Sequence, residues 1–131
     1  MSKRNKLQKF AEILAYPHVV ENFDPCNPRL LGEQGKEVER KGQWRAAQFG
    51  NDYPVVVELA CGRGEYTVAL AREYPDRNFI GVDIKGARIW KGATIAWEEK
   101  LENKKMPRVL FAGTFITPPW RRWKILNIKI A

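Results

Sequence analysis

The run Val55-Val56-Val57-Glu58-Leu59-Ala60-Cys61-Gly62-Arg63-Gly64-Glu65-Tyr66 decides the fold. A β-branched apolar strand, started by Pro54 and running through about Leu59, enters a turn of small residues and opens a helix. Its near-continuous apolar face suits a parallel strand covered on both sides. Gly62 and Gly64 let the backbone approach a ligand with no Cβ in the way. They also present N–H groups at the start of a helix, a region of partial positive charge. A small-x-Gly-x-Gly turn alone is weak evidence, because many tight strand-to-helix turns share it.

Working outward, Gly64 through Tyr74 reads as a helix with Tyr66, Ala69 and Leu70 as its apolar stripe, closed by Pro75-Asp76. Asn78 to Val82 is a second strand, with Asp83 at its end. Residues 86–102 form a longer helix that spaces Trp90, Ala93, Trp97 and Leu101 along one side. Val109-Leu110-Phe111 is a third short strand. Strand, helix, strand, helix, strand is the βαβαβ signature of an α/β, doubly wound parallel sheet. Such a three-stranded half-sheet leaves one edge of its first strand unpaired.

Upstream, residues 5–15 place Leu7, Phe10, Ala11 and Leu14 at helical spacing, with Lys6 and Lys9 on the polar side and Pro17 as the stop. Prolines and glycines punctuate residues 17–43, which read as an extended arm or loop. Residues 44–49 are expected to form a helical turn packed on the sheet, broken by Gly50-Asn51-Asp52. The organisation is thus an N-terminal helix and arm (1–50), a βαβαβ unit (51–117) and a basic tail (118–131).

Two acids sharpen the chemistry of the turn. Asp83 lies 19 residues beyond Gly64, at a strand end where an acid can accept both ribose hydroxyls of an adenosine. The dinucleotide fingerprint G-x-G-x-x-G is absent. Glu58 would repel a diphosphate lying over the turn, at a cost of several kcal/mol for a few Å of separation at an effective dielectric near about 20. S-adenosylmethionine has no phosphate and carries an ammonium and a sulfonium, so a carboxylate there becomes favourable. The expected cofactor contacts are Glu58, Gly62, Gly64 and Asp83, with Ile84 either packing on the adenine face or lying in the plain core. Against this stand plainer roles: Glu58 capping backbone N–H groups, and Asp83 as the N-cap of the segment starting near Gly86. Cys61 reads as a packing residue, His18 as structural, Trp90 and Trp97 as core, and Lys85 and Arg88 as solvated charges.

The 131 residues, 44% of them hydrophobic, allow one domain of modest size. No apolar run approaches the roughly 18 residues that cross a bilayer, and the basic N-terminus lacks the apolar segment of a secretory signal. Two cysteines and one histidine cannot build a tetrahedral zinc site within one chain, so no metal is expected. Free thiols in the cytoplasm are the expectation. Of the net charge of +8, seven units come from residues 103–131, which hold no acid. Nucleic acid is one partner for that segment, and a merely solvated tail is the alternative.

Glu58 to Thr67, together with Phe79-Ile80-Gly81-Val82-Asp83-Ile84-Lys85-Gly86-Ala87-Arg88, resembles the bacterial tRNA (guanine-N7)-methyltransferases. The Asp-Ile-Lys-Gly-Ala-Arg stretch is the more specific half. The resemblance spans about residues 1–112 and is strongest over 54–93. It implies a Rossmann-like class I methyltransferase fold, present here as its N-terminal half. It also implies S-adenosylmethionine as cofactor and methyl transfer to a guanine of tRNA, with Glu58 and Asp83 matching the family's first two acidic cofactor contacts. The basic N-terminal helix would then hold tRNA phosphates.

The chain departs from the family pattern in several places. Ala60 stands where the motif usually has glycine, a small change if that position has negative φ. Gly113 and Thr114 stand where the family often has an acid that contacts adenine. The Phe-Pro-Asp-Pro-like substrate motif is missing and residues 113–131 do not resemble the family, so the chain reads as an incomplete copy and no catalytic residue is assigned. The competing readings are a dinucleotide-binding oxidoreductase module and a non-catalytic RNA- or cofactor-binding fragment.

Overall fold

The computed structural model describes residues 3–22, 29–40, 42–84, 86–103 and 108–113, without the side chains of 100–103. The expectations for Cys26, for Lys85, for the Leu101 side chain and for the basic tail lie outside the described residues.

Among the described residues four strands form one parallel sheet, in the order β1 (Val19–Glu21), β4 (Val109–Gly113), β3 (Asn78–Asp83), β2 (Val55–Leu59). The three strands read from the sequence are present nearly to the residue. The fourth, β1, corrects the reading of residues 17–43 as arm or loop. Three residues are too few to show a period, and the prolines and glycines around them mask the signal. Val19 and Val20 are both buried, one on each face of the sheet. Leu31 folds back to exchange backbone hydrogen bonds with Glu21 at 2.8 Å in both directions, which covers the outer edge of β1. Among the described residues β2 is the opposite edge, as the sequence implied.

One face of the sheet is covered by helices. Val19, Phe79, Val109 and Phe111 pack there against α1 (Lys6–Leu14), α2 (Glu65–Glu73) and α3 (Trp90–Asn103). The other face is covered by the arm. Leu30, Trp44 and Phe49 pack on Val20, Ile80, Val82, Leu110 and Ala112, so the π-helical turn Trp44–Phe49 does lie on the sheet.

Two helical stripes are rotated from their expected positions. In α1 the buried residue is Ile13, with Phe10 beside it in the core and Leu7 77% exposed. In α2 the buried residues are Thr67, Val68 and Ala71, whereas Tyr66 and Ala69 face outward. Each helix meets the sheet along the line its connections dictate, and that line overrides the apolar count. The ends are fixed locally. Asn5 and Gln8 form a reciprocal capping box on α1. Arg108, just before β4, donates to Ala71 O at 2.8 Å and Tyr74 O at 3.1 Å, satisfying carbonyls at the end of α2, and to Arg77 O at 2.7 Å in the turn beyond it.

His18 confirms its structural reading. It is buried, lies 2.8 Å from Ala93 O through Nε2, and joins Tyr16 and Trp97 in a cluster of three mutually stacked rings. It ties the start of β1 to α3. Trp90 is half-buried, donating to Glu12 at 2.6 Å under Lys9, whose ammonium lies 5.0 Å from the ring centroid. No described helix is long and apolar enough to cross a membrane.

Candidate functional site

The carboxyl ends of β2 and β3 meet the turn Ala60–Gly64. This is the edge of a parallel sheet where ligands bind. The turn alternates left-handed residues: Ala60 at φ +56°, Gly62 at +60° and Gly64 at +76°. Gly64 leads into α2 with no side-chain cap, so the first-turn amides of that helix have no side-chain acceptor at the cap position. A Cβ at Gly62 would meet nothing within 4 Å, so this residue lines open space.

Gly64 has a second role that its motif position does not reveal. A Cβ there would fall 2.5 Å from the Phe111 ring; at Gly81 the distance is 2.9 Å and at Gly92 2.8 Å. The Phe111 ring of β4 thus seats among glycines from the turn, from β3 and from α3. Gly92 N–H donates to Arg63 O at 2.7 Å, so α3 lies directly against the turn. Three segments close on one ring carried by β4, and the backbone of the turn is fixed from behind.

Both acids come to this turn. Asp83 is 3% exposed and accepts from the Gly62 amide at 2.9 Å. Glu58, half-buried, accepts a hydrogen bond from the Thr67 hydroxyl in the first helical turn of α2. Cys61 lies between them. Burial pushes its thiol up to about 12, and the negative charges of Asp83 and then Glu58 add to the effect. Cys61 is therefore a protonated packing residue, as expected, and not a nucleophile. Glu58 holds a side-chain hydroxyl where a backbone amide was the plainer expectation. Asp83 holds the turn's Gly62 amide, a role compatible with the plainer one of capping the segment from Gly86.

The sequence-derived residues thus converge. Asp83 and Gly62 touch, Glu58 reaches the same bend through Thr67, and Gly64 forms its rear wall. Ile84 follows Asp83 and is 47% exposed, free to meet a ligand face. The expectation about Ala60 is overturned: its φ is positive, so the alanine sits where a Cβ is unfavourable. Thr67, Phe111 and Gly92 were missed. Thr67 carried a signal, a hydroxyl one helical turn into α2 and nine residues after Glu58. Phe111 and Gly92 carried none, since their roles arise only when distant segments pack.

Comparison with known proteins gives a consistent result. A family model for methyltransferases matches residues 52–109. The chain is 49% identical over 100 residues to the tRNA (guanine-N(7)-)-methyltransferase of Bacteroides thetaiotaomicron, covering 76% of this chain and 37% of that protein. It is 48% identical over 103 residues to the protein of the same name from Christiangramia forsetii, covering 79% and 43%. The corresponding protein of Porphyromonas gingivalis is 41% identical over 97 residues, covering 74% and 36%. The chain spans about two fifths of the length of the curated relatives it matches.

Proposed function

Because the chain belongs to the bacterial tRNA (guanine-N7)-methyltransferase family, we propose that it binds S-adenosylmethionine at the Ala60–Gly64 bend and serves methyl transfer to guanine N7 of a tRNA. The observation that carries this reading is the convergence of two carboxylates, Glu58 and Asp83, on a glycine bend backed by a helix N-terminus. Both proposed participants, cofactor and tRNA, are molecules of the cytoplasm.

The residues present fit the cofactor. Gly62 borders open space at the bend, where a bulky ligand needs room. Asp83, fixed by the Gly62 amide, would take the ribose hydroxyls. Glu58, fixed by Thr67, would place negative charge near the ammonium and sulfonium. Ile84 would pack on the base. When bound, S-adenosylmethionine supplies an electrophilic methyl group on its sulfonium. Guanine N7 carries a lone pair and no proton, so the chain need supply no strong base. What its residues contribute is a fixed position and orientation for the donor, the source of most of the rate in such a displacement. The N-terminal helix, with Lys3, Arg4, Lys6 and Lys9, is the proposed site for tRNA phosphates.

Titration calorimetry with S-adenosylmethionine tests the reading. The wild-type chain is expected to bind. Asp83→Asn and Glu58→Gln should each weaken binding by about tenfold or more, since each removes a charge from a charge-assisted contact. Equal affinity in both variants, or tighter binding of a nicotinamide dinucleotide, would refute it.

A further inference from the structure

Glu21, the last residue of β1, has no part in the site as described so far. It is 4% exposed, and its Oε1 has no hydrogen-bond partner among the described residues. Glu21 is in register with Gly113 of β4, and Gly113 with Asp83 of β3. The three residues form one row across the sheet, and side chains in a row leave it on the same face. Gly113 contributes no side chain to the row. The Glu21 carboxylate fills the place, lying against Gly113 and against Gly86, three residues beyond Asp83. A Cβ at either glycine would overlap the carboxylate oxygens.

A buried carboxylate oxygen left without a donor is costly, and such groups in native structures call for an explanation. An apolar side chain would fill the same space at no such cost. Burial also raises the Glu21 carboxyl to about 7, and a strongly perturbed acid at a crevice is characteristic of a binding site. The order of the strands identifies the donor. With the charged end of the cofactor at the β2 turn and the ribose at Asp83 of β3, the base extends toward β4. There Gly113 offers no side chain and Glu21 stands in for one.

We propose that Glu21 is a third acidic contact of the adenosine cofactor, with Oε1 accepting a hydrogen bond from the exocyclic amine of the base, so that it sets the preference for adenine over a 6-oxo purine. This rests on the cofactor reading above and goes beyond it by assigning the base-reading group to β1.

The test is calorimetric titration of the 131-residue chain with S-adenosylhomocysteine and with its hypoxanthine counterpart, S-inosylhomocysteine, for wild type and Glu21→Gln. Far-UV circular dichroism checks that the variant folds. Wild type should prefer the adenosyl compound by at least about tenfold. Glu21→Gln, whose amide can donate to a 6-oxo group, should lose or invert that preference, whereas a merely structural role would lower both affinities in proportion. Equal binding of the two compounds by wild type, or a wild-type ratio in the variant, would overturn the assignment while leaving the cofactor reading intact. Binding of neither compound by wild type would overturn both.

Discussion

Ala60 holds a left-handed backbone at φ +56° within a turn that needs three such residues. An L-residue with a Cβ is disfavoured there by about 1–2 kcal/mol, partly offset because alanine restricts the unfolded chain more than glycine does. Ala60→Gly should therefore stabilise the chain by about 0.5–1 kcal/mol, read as a raised urea midpoint with an unchanged slope. Glu21 gives a second prediction at this scale. Burial lifts its carboxyl from 4.5 to about 7, so the folded state binds the extra proton between those values. Its contribution is fully present below about pH 4.5 and is lost as pH rises through about 7, a change on the order of 3 kcal/mol. Denaturant unfolding from about pH 5 to about pH 8 should show this fall in wild type. Glu21→Gln should flatten it.

This residue was legible in principle. Val19-Val20-Glu21, Val56-Val57-Glu58 and Gly81-Val82-Asp83 repeat one pattern, an acid placed after two small or apolar residues. Three of the four strands end on or just beyond such an acid. The first copy is hidden by its shortness and by the prolines nearby.

Among the elements, β2, β3 and β4 were legible because each is a near-continuous apolar run, as a parallel strand covered on both faces requires, whereas β1 was too short to show one. The helices were legible in extent but not in rotation. Thr67, a polar residue, faces the core of α2 because it serves Glu58, while Tyr66 is 63% exposed. A count of apolar residues cannot anticipate a buried hydroxyl with a partner. The packing of α3 on the turn gives the prediction for this scale. Gly92→Ala would ordinarily favour a helix by about 1 kcal/mol. Here the new methyl would lie 2.9 Å from Arg63 O and Gly64 C and 2.8 Å from Phe111, and two of those three neighbours are backbone. The substitution should instead destabilise by about 1–3 kcal/mol and weaken S-adenosylmethionine binding. Thermal melts and calorimetry on the same sample would check both effects.

For the whole molecule, the two edges of the sheet differ. The β1 edge is covered by Leu31, whereas β2 presents one side of its ladder unpaired among the described residues. Tyr53, just before β2, and Leu59, its last residue, have 39% and 47% of their surface exposed. An open strand edge with apolar flanks templates pairing with another chain. Sedimentation velocity at rising concentration should show reversible association. Leu59→Lys should reduce it without changing the melting temperature.

The Phe111 ring, seated among Gly64, Gly81 and Gly92, joins the bend to a strand nearly fifty residues away in the chain. The bend therefore gains its final shape only once β4 has docked. Maturation of the pocket and closure of the hydrophobic interior are one event, and a nascent chain that has emerged only through α2 should have no grip on the methyl donor.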